Sequence, residues 1–454
     1  MCPRGSYLPA PRFNRVLSHQ GSIRPVFPDN EPTAHLRVLF LAKLFPWPLN
    51  FGARQRVFHL ARGIAKAHDE AVIAYDTVPI REQEEAFLAN SGCSAVSTIP
   101  RRQVLAHRPV PDHSWGRLLR KLRSADMRLR SPLPSFVHDV WSSDLVNQLR
   151  SVKRSTSFDV VYATQSWMAE HALAAGFDRI IVDVDDLLSH LSRQRVASSG
   201  WHSRKPIELF DAAKDQRYER SLPKRFMRVV VAKEEDRSFF APADRERVSV
   251  IPNGISVPET PSPEPAIANT ILFVGTLGYG PNIDAIRWFA TEILPLIWQQ
   301  KPDVSFSVAG YGAIGSLAEV LKDPRCIVHE SPADLTPLYD EASLVVTPIR
   351  IGGGTRIKIL EALGRGRAVV STSFAAEGLG LRGGVDLEFA DTPTDIAARC
   401  LELLKDRDRR RALATAGRAT VADRFDWISI ERALPGLICD AVRANSVHDG
   451  RPGR

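Results

Sequence analysis

Ile349-Arg350-Ile351-Gly352-Gly353-Gly354-Thr355-Arg356-Ile357-Lys358-Ile359-Leu360-Glu361-Ala362-Leu363 is the stretch that decides how this chain folds. Before it stands an apolar run, Leu344-Val345-Val346-Thr347, with the pattern of a strand buried on both faces. After the glycines, Ile357, Leu360 and Leu363 recur at helical spacing, and Ala368-Val369-Val370-Ser371 reads as a second buried strand. Strand, glycine loop, helix and strand make a βαβ unit. Its loop sets bare amides at a helix N-terminus, where residues without Cβ permit close approach and the helix dipole contributes about half a positive charge. Arg356 and Lys358 add two full charges within the first turn. Glu361, three residues beyond Lys358, can accept two hydroxyls of a ribose. Phosphate donors and a diol-binding acid together describe a site for a nucleotide diphosphate. The plain alternative is that Gly352, Gly353 and Gly354 form an ordinary turn and the charges a solvated face.

The chain has 454 residues, room for two or three domains, with hydrophobic and charged content ordinary for a soluble globular protein. Five cysteines are scattered without a Cys-x-x-Cys pair. This argues against a disulfide framework and a zinc site and suits a reducing cytosol. No run approaches 18 apolar residues, so no membrane span is expected. Residues 1–35 hold six prolines and no periodicity and read as a disordered extension; residues 444–454 read as a disordered tail. Residues 101–154 carry 12 Lys or Arg against 4 Asp or Glu, a local excess of 8 that equals the net charge of the whole chain. An anionic membrane surface, an acidic substrate or a merely solvated basic helix pair each accounts for it. Few aromatics (Trp115, Phe136, Trp141) interleave with these cations, so base stacking is poorly served and nucleic acid is not an expected partner.

Along the chain, Leu36–Ala42 reads as a first strand, about 53–66 as a helix and Ala71–Tyr75 as a second strand. This is a doubly wound opening, in which ligands meet the carboxyl ends of strands. Gly52, with Arg54 and Arg56 behind it, stands at such a mouth or simply at a turn. Strands follow at 159–163 and 180–186, the second ending in Asp183, Asp185 and Asp186. Three acids suggest a metal, but a polar strand end is the simpler reading and no metal is expected. Strands at 228–232 and 248–251 complete this half, and Pro258, Pro261, Pro263 and Pro265 mark a linker. The second half opens with Ile271–Gly275, then Gly278 and Gly280 and a helix over about 282–299. Gly275 and Gly278 offer backbone amides to a ligand. Gly310-Tyr311-Gly312-Ala313-Ile314-Gly315 is a formal G-x-G-x-x-G between a strand and an expected helix, with Glu330 about 20 residues on. It lies on the second strand of its half rather than the first, which weakens a dinucleotide reading. Helices are expected over about 393–405, 407–423 and 427–443, the last with Trp427, Ile430, Leu434 and Ile438 as its apolar stripe.

The glycine segment with Glu361-Ala362 and Ala368-Val369-Val370, together with Ile251-Pro252-Asn253-Gly254, resembles glycosyltransferase family 4, in the branch with Gly-Gly-Gly-Thr-Arg-x-Lys that includes sugar transferases of exopolysaccharide gene clusters. The resemblance covers about residues 36–443 and is strongest over 248–378. It implies an α/β GT-B fold: two Rossmann-like domains facing a cleft, with the last helix crossing back to the N-terminal domain. The implied boundaries are 36–255 for the acceptor-side domain, 256–268 for the linker, 269–426 for the nucleotide-sugar domain and 427–443 for the crossing helix. Many relatives carry an acid eight residues before Glu361, where this chain has Gly353. They carry an Arg and a Lys in the loop after the strand that ends at Gly275; here Thr276 stands at the Arg position and Pro281 and Asn282 near the Lys position. The cationic, catalytic role therefore passes to Arg356 and Lys358, with Thr355 beside them. Gln165, or Ser166, stands near a sugar-binding His of relatives, and Glu330 where relatives hold the base. The implied activity is transfer of a sugar, with retention, from a nucleotide-diphosphate sugar to a glycan or lipid-linked acceptor in cell-surface polysaccharide synthesis. No separate cofactor is implied. The expected location is cytoplasmic, with peripheral attachment to the inner face of the membrane through residues 101–154. An epimerase or phosphorylase on the same fold, or a membrane-surface binding protein, are the alternatives.

Overall fold

The computed structural model describes residues 35–49, 52–76, 79–100, 131, 133–198, 200–265, 269–352 and 357–449. Two parallel sheets organise them. The first has seven strands: β1 (Arg37–Ala42), β2 (Asp69–Asp76), β3 (Ala95–Pro100), β4 (Val160–Thr164), β5 (Ile180–Val184), β6 (Arg228–Val231) and β7 (Val248–Val250), in the order β3-β2-β1-β4-β5-β6-β7. The second has six: β8 (Thr270–Val274), β9 (Ser305–Gly310), β10 (Cys326–Glu330), β11 (Leu344–Thr347), β12 (Val369–Ser371) and β13 (Glu388–Phe389), in the order β10-β9-β8-β11-β12-β13. Each is doubly wound. The direction of winding reverses between β1 and β4 in one sheet and between β8 and β11 in the other. The α/β class expected from the sequence is thus found twice. By density of contacts the chain divides between Val182 and Asp183, with residues 130–135 grouped with the second unit.

Strands buried on both faces have near-continuous apolar sequences, because crossover helices cover each side. Ile271, Leu272, Phe273, Leu344, Val346 and Val369 are fully buried, and the helix Ile357–Gly364 adds Ile359, Leu360 and Leu363 to the same core. In the first sheet, Thr164 ties the winding point: its hydroxyl donates to the Leu41 carbonyl at 3.1 Å and accepts the Lys43 amide at 2.8 Å. The helix Leu188–Ser198 begins on a buried carboxylate; Glu219, from the helix Lys205–Arg225, accepts the amides of Leu188 (2.7 Å) and Ser189 (3.1 Å).

Three expectations are corrected. The helix expected over 282–299 is broken into Gly280–Trp288, a π-turn at Phe289–Ile293 and Leu294–Gln300. Pro295 has no amide hydrogen to continue the ladder, and a one-residue expansion absorbs the defect. G-x-G-x-x-G leads not into a helix but into the 3-10 turn Gly315–Leu317, so it lacks the helix N-terminus that a pyrophosphate would need. The last helix runs Trp427–Asp449 rather than stopping at 443, so most of the expected disordered tail is helical. Residues 1–34 and 101–130, where the disordered extension and most of the basic segment were placed, lie outside the described residues. No helix among the described residues is long and apolar enough to cross a membrane.

The proline-rich stretch after Gly254 is held against the second sheet's helices. Buried Arg367 donates to the Pro263 carbonyl, Arg410 binds Glu264 through Nε at 2.9 Å, and Arg418 donates to the carbonyls of Pro258 and Glu259. Ile255 pairs with the chain just before the last helix: its amide donates to the Phe425 carbonyl (2.8 Å), and its own carbonyl accepts the Trp427 amide (3.0 Å). Gly254 is required there, since a Cβ would lie 2.8 Å from both Trp427 Cδ2 and Ile430 Cδ1. Trp427, Ile430, Leu434 and Ile438 are all buried, as their spacing predicts.

Candidate functional site

In open parallel sheets ligands bind beyond the carboxyl ends of the strands where the winding reverses. In the second sheet that place is flanked by the loops after β8 and β11, and both loops carry glycines. After β8, Gly275 donates its amide to the Ala309 carbonyl at 2.9 Å, so that amide is taken by the sheet and is not offered to a ligand, contrary to the expectation from the sequence; the chain then leads through Thr276 and Gly278 into the helix Gly280–Trp288. After β11, the chain runs through Arg350 to Gly352, whose φ of 111° only glycine adopts readily. A Cβ at Gly352 would lie 2.9 Å from the Pro281 ring, so the two loops touch. Arg350 fastens them further. Its guanidinium binds Asp284 at 2.8 and 3.2 Å and lies 4.4 Å from the centre of the Trp288 ring.

Lys358, in the first turn of the helix Ile357–Gly364, reaches this place. Its Nζ donates to Asn282 Oδ1 at 2.6 Å and lies 5.1 Å from the centre of the Phe273 ring. Asn282 is itself buried, and its Nδ2 donates to the Thr276 carbonyl at 2.8 Å. A Cβ at Gly275 would lie 3.2 Å from the Lys358 ammonium. The Lys358 ammonium, from the helix after β11, thus lies against the loop after β8. Gly353, Gly354, Thr355 and Arg356 lie outside the described residues.

Glu361 is half-buried one turn beyond Lys358. Burial raises its pKa; Arg365 and Lys358 pull it back down. No side chain among the described residues hydrogen-bonds its carboxylate. Tyr339, buried nearby, is pushed well up by burial and by Glu361.

Glu330 stands beside the loop after β9. It ends β10, and its carboxylate accepts the Ile314 amide at 2.5 Å. Ser331, at a φ of 49°, accepts the Gly312 amide on its hydroxyl at 3.0 Å. The two brace the loop Gly310–Gly315 through hydrogen bonds at the surface, and that loop carries Tyr311 with 78% of its surface exposed. The carboxylate of Glu330 is therefore engaged by an amide of its own chain. A Cβ on Gly278 would meet nothing within 4 Å, so that position is free of steric demand.

Gly52 and Gln165 belong to the first unit. Gly52 opens the helix Gly52–Ala65 after β1. Gln165 follows β4 and precedes the helix Ser166–Ala174 with φ 79° and ψ 143°, a strained conformation for a residue with a side chain. Both lie at the carboxyl side of the β1/β4 winding point. Asp185 and Asp186 are polar strand-end groups: Asp185 accepts from Asn253 at 2.8 Å, and Asp186 is 3.9 Å from Lys233. Among the described residues no three His, Cys, Asp or Glu converge as a metal site would require. Reading the sequence placed Asn282 only near a family lysine; its signal was an amide side chain just after Pro281 at a helix start.

Residues 268–406 match the sequence profile of the family described as glycosyl transferases group 1. An uncharacterized 44.6 kDa protein in the cps region of Klebsiella pneumoniae is 26% identical over 165 residues, 34% of this chain and 42% of that protein. The chain thus spans about two fifths of the curated relative it matches. Among solved structures, HepE of Anabaena in complex with UDP and glucose is similar at 16% identity and a TM-score of 0.58, covering 89% of this chain and 100% of that one. TarM is similar at 10% identity and 0.62, over 90% and 100%. Sucrose-phosphate synthase of Thermosynechococcus elongatus is similar at 14% identity and 0.62, over 90% and 100%. At these identities the likeness is one of fold, and that fold is GT-B: two Rossmann-like α/β domains.

Proposed function

We propose that the protein is a glycosyltransferase that moves a sugar from a nucleotide-diphosphate sugar to a glycan or lipid-linked acceptor, with retention, in the synthesis of a cell-surface polysaccharide. The observation that carries this reading is the Lys358 ammonium at the Gly275 loop, with Glu361 one turn behind it. A cation beside two glycine loops suits a diphosphate, and a half-buried carboxylate suits the ribose diol. The family profile over this segment and the UDP and glucose complex of a protein of the same fold support the choice of ligand.

On this reading the sugar's bond to the diphosphate breaks while an acceptor hydroxyl attacks from the same face. The proton of that hydroxyl passes to an oxygen of the departing diphosphate, so no side-chain base is needed. Lys358 and Arg356 stabilise the negative charge that gathers on the leaving group. Fixed donors in a site closed to water contribute several kcal/mol to such a step. Residues 36–255 serve the acceptor and residues 269–426 the donor. Attachment to an anionic membrane through residues 101–154 rests on the charge of the sequence, and residues 101–130 lie outside the described residues.

A thermal-shift screen of UDP-, GDP- and ADP-sugars tests the reading. A specific donor stabilises the protein by RT ln(1 + [L]/Kd), about 2.7 kcal/mol at a hundredfold excess. The anomeric configuration of the product, read by NMR, then tests retention. No shift with any donor overturns the proposal.

A further inference from the structure

Large apolar side chains gather in water at one place among the described residues. Thirteen stand exposed there, and five of them, Leu191, Trp201, Ile207, Leu209 and Phe210, fall within 20 residues of sequence. They belong to a hairpin of two helices, Leu188–Ser198 and Lys205–Arg225. Glu219 fixes its base through the amides of Leu188 and Ser189. Further out, the Ser192 hydroxyl donates to Asp215 at 2.8 Å, and near the tip Lys205 donates to the Val196 carbonyl. Twelve residues of helix separate Glu219 from Ile207, so the tip lies about 18 Å from the base.

The second helix buries one face, with Ala212, Asp215, Tyr218 and Glu219 on it. At 3.6 residues per turn, Pro206, Ile207, Leu209 and Phe210 fall on the opposite face, the one turned to water. Trp201, just before the helix, is 81% exposed, and Ile207 is 52% exposed. Farther along the same outer face stand Lys214 and Arg217. An apolar end followed by cations, on a face that packs against nothing in its own hairpin, marks an interaction surface.

Charge says what the surface meets. Residues 193–210 carry four Lys or Arg against one acid. The most basic sequence of the chain also enters beside this helix. The Ser135 hydroxyl donates to Asp211 at 3.4 Å, one residue from Phe210. Residues 101–130, with nine Lys or Arg against two Asp, end five residues before Ser135. A basic tip repels a basic segment, so that segment is a poor cover for it, whereas one anionic surface attracts both. Tryptophan settles at the headgroup level of a bilayer, and arginine keeps its charge at the phosphates while its stem lies along apolar chains.

We propose that the tip of this hairpin, Trp201 with Ile207, Leu209 and Phe210, enters the headgroup layer of an anionic bilayer, with Arg193 and Arg204 at the lipid phosphates. This rests on the reading of the protein as one that works at a membrane surface. It adds to the charge of residues 101–154 an apolar contact that salt does not screen.

The test uses the full chain and vesicles of phosphatidylglycerol or of phosphatidylcholine, with flotation as the readout. Three forms are compared: wild type, the hairpin variant Trp201→Ser/Phe210→Ser, and a variant with Arg117→Gln, Arg120→Gln and Arg123→Gln together. Trp201 and Phe210 are exposed, so the hairpin variant should melt as wild type does. Wild type should float with phosphatidylglycerol, and the hairpin variant should bind about tenfold more weakly or worse, the scale of withdrawing large apolar groups from lipid. Salt at about 1 M should weaken wild-type flotation without abolishing it. Brominated phosphatidylglycerol gives a readout confined to the tip: it should quench part of the tryptophan emission of wild type and less of that of Trp201→Phe. Flotation and quenching unchanged by the hairpin substitutions overturn the proposal. If the Arg→Gln variant alone then loses binding, the reading of residues 101–154 stands without it. Flotation of wild type with neither lipid, or equally with both, overturns the two together. An apparent mass that halves in the hairpin variant while flotation is unchanged assigns the tip to a second copy of the chain and likewise overturns the proposal.

Discussion

Gly310 lies backbone to backbone on Gly275: a Cβ on Gly310 would sit 1.9 Å from the Gly275 carbonyl oxygen. The turn after β9 and the loop after β8 are therefore in hard contact, and the loop that meets Lys358 is positioned by its neighbour. Gly310→Ala must push Gly275 aside. Denaturant titration should show a loss of about 1–3 kcal/mol, the usual cost of overpacking, together with weaker diphosphate binding. Gly278→Ala is the control. The added methyl group meets nothing within 4 Å, so stability should stay within about 0.5 kcal/mol of wild type.

Lys358→Met should cost about 1.5–3 kcal/mol of diphosphate affinity, the scale for hydrogen bonds to charged groups. Glu361→Gln should raise KM for the donor. The pH profile separates the two residues. Burial raises the pKa of Glu361, and the ionised form is the better acceptor for ribose hydroxyls. Donor affinity should therefore strengthen as pH rises through that elevated pKa, and Glu361→Gln should flatten this limb. A wild-type profile with no such limb would remove Glu361 from the site.

Asp386 is fully buried and accepts four hydrogen bonds: from the Arg382 amide (2.8 Å), Nε (3.0 Å) and Nη2 (2.9 Å), and from the Thr420 hydroxyl (2.8 Å). The Arg382 guanidinium holds its pKa down to about 2, below the ordinary 3.8. A depressed acid stabilises the fold above its unfolded pKa and loses that contribution as pH falls toward the folded one. Wild type should lose stability between roughly pH 4 and 2 on this account. Asp386→Asn should be less stable at pH 7 by about 1–2 kcal/mol, allowing for solvent around the exposed Arg382, and should lack that acid limb.

Glu219 works with the opposite sign. Burial raises its pKa to about 7 although it accepts the amides of Leu188 and Ser189. The folded protein holds its proton more tightly than the unfolded chain, whose value is near 4.5. Its contribution to stability is complete below pH 4.5 and is lost as pH rises to about 7. The difference in melting temperature between wild type and Glu219→Gln should therefore change across this window and level off above it. The full change is on the order of 3 kcal/mol, at about 1.36 kcal/mol per pKa unit.

The sheets were legible because buried parallel strands leave continuous apolar runs; Ile271–Val274, Leu344–Thr347 and Val369–Ser371 stand out unaided. The βαβ glycine segment was legible for the same reason, and so was the place of Glu361 one turn beyond Lys358. The grip of Asn282 on Lys358 was not, because it joins positions 76 residues apart and no local pattern encodes a partner that distant. Nor was the hydrogen bond from the Ile314 amide to Glu330, the last residue of β10, which joins positions 16 residues apart. The π-turn was hidden because Phe289, Ile293 and Ile297 keep an apolar pattern close enough to the helical period. Pro295 was the sole sign of it.

The pairing of Ile255 with the residues flanking Asp426 makes the intervening chain a closed circuit. All six strands of the second sheet lie between two points joined by hydrogen bonds of 2.8 and 3.0 Å. A segment whose ends meet can be lifted out as a cassette, since a host sees the same short gap whatever the segment contains. Exchanges between proteins of this fold, cut at Gly254 and Trp427, would, on the proposed function, carry donor preference across while leaving the recipient's remaining chain joined at an unchanged distance. Lineages recombining at these two positions could change which sugar is delivered without rebuilding the surface that receives it.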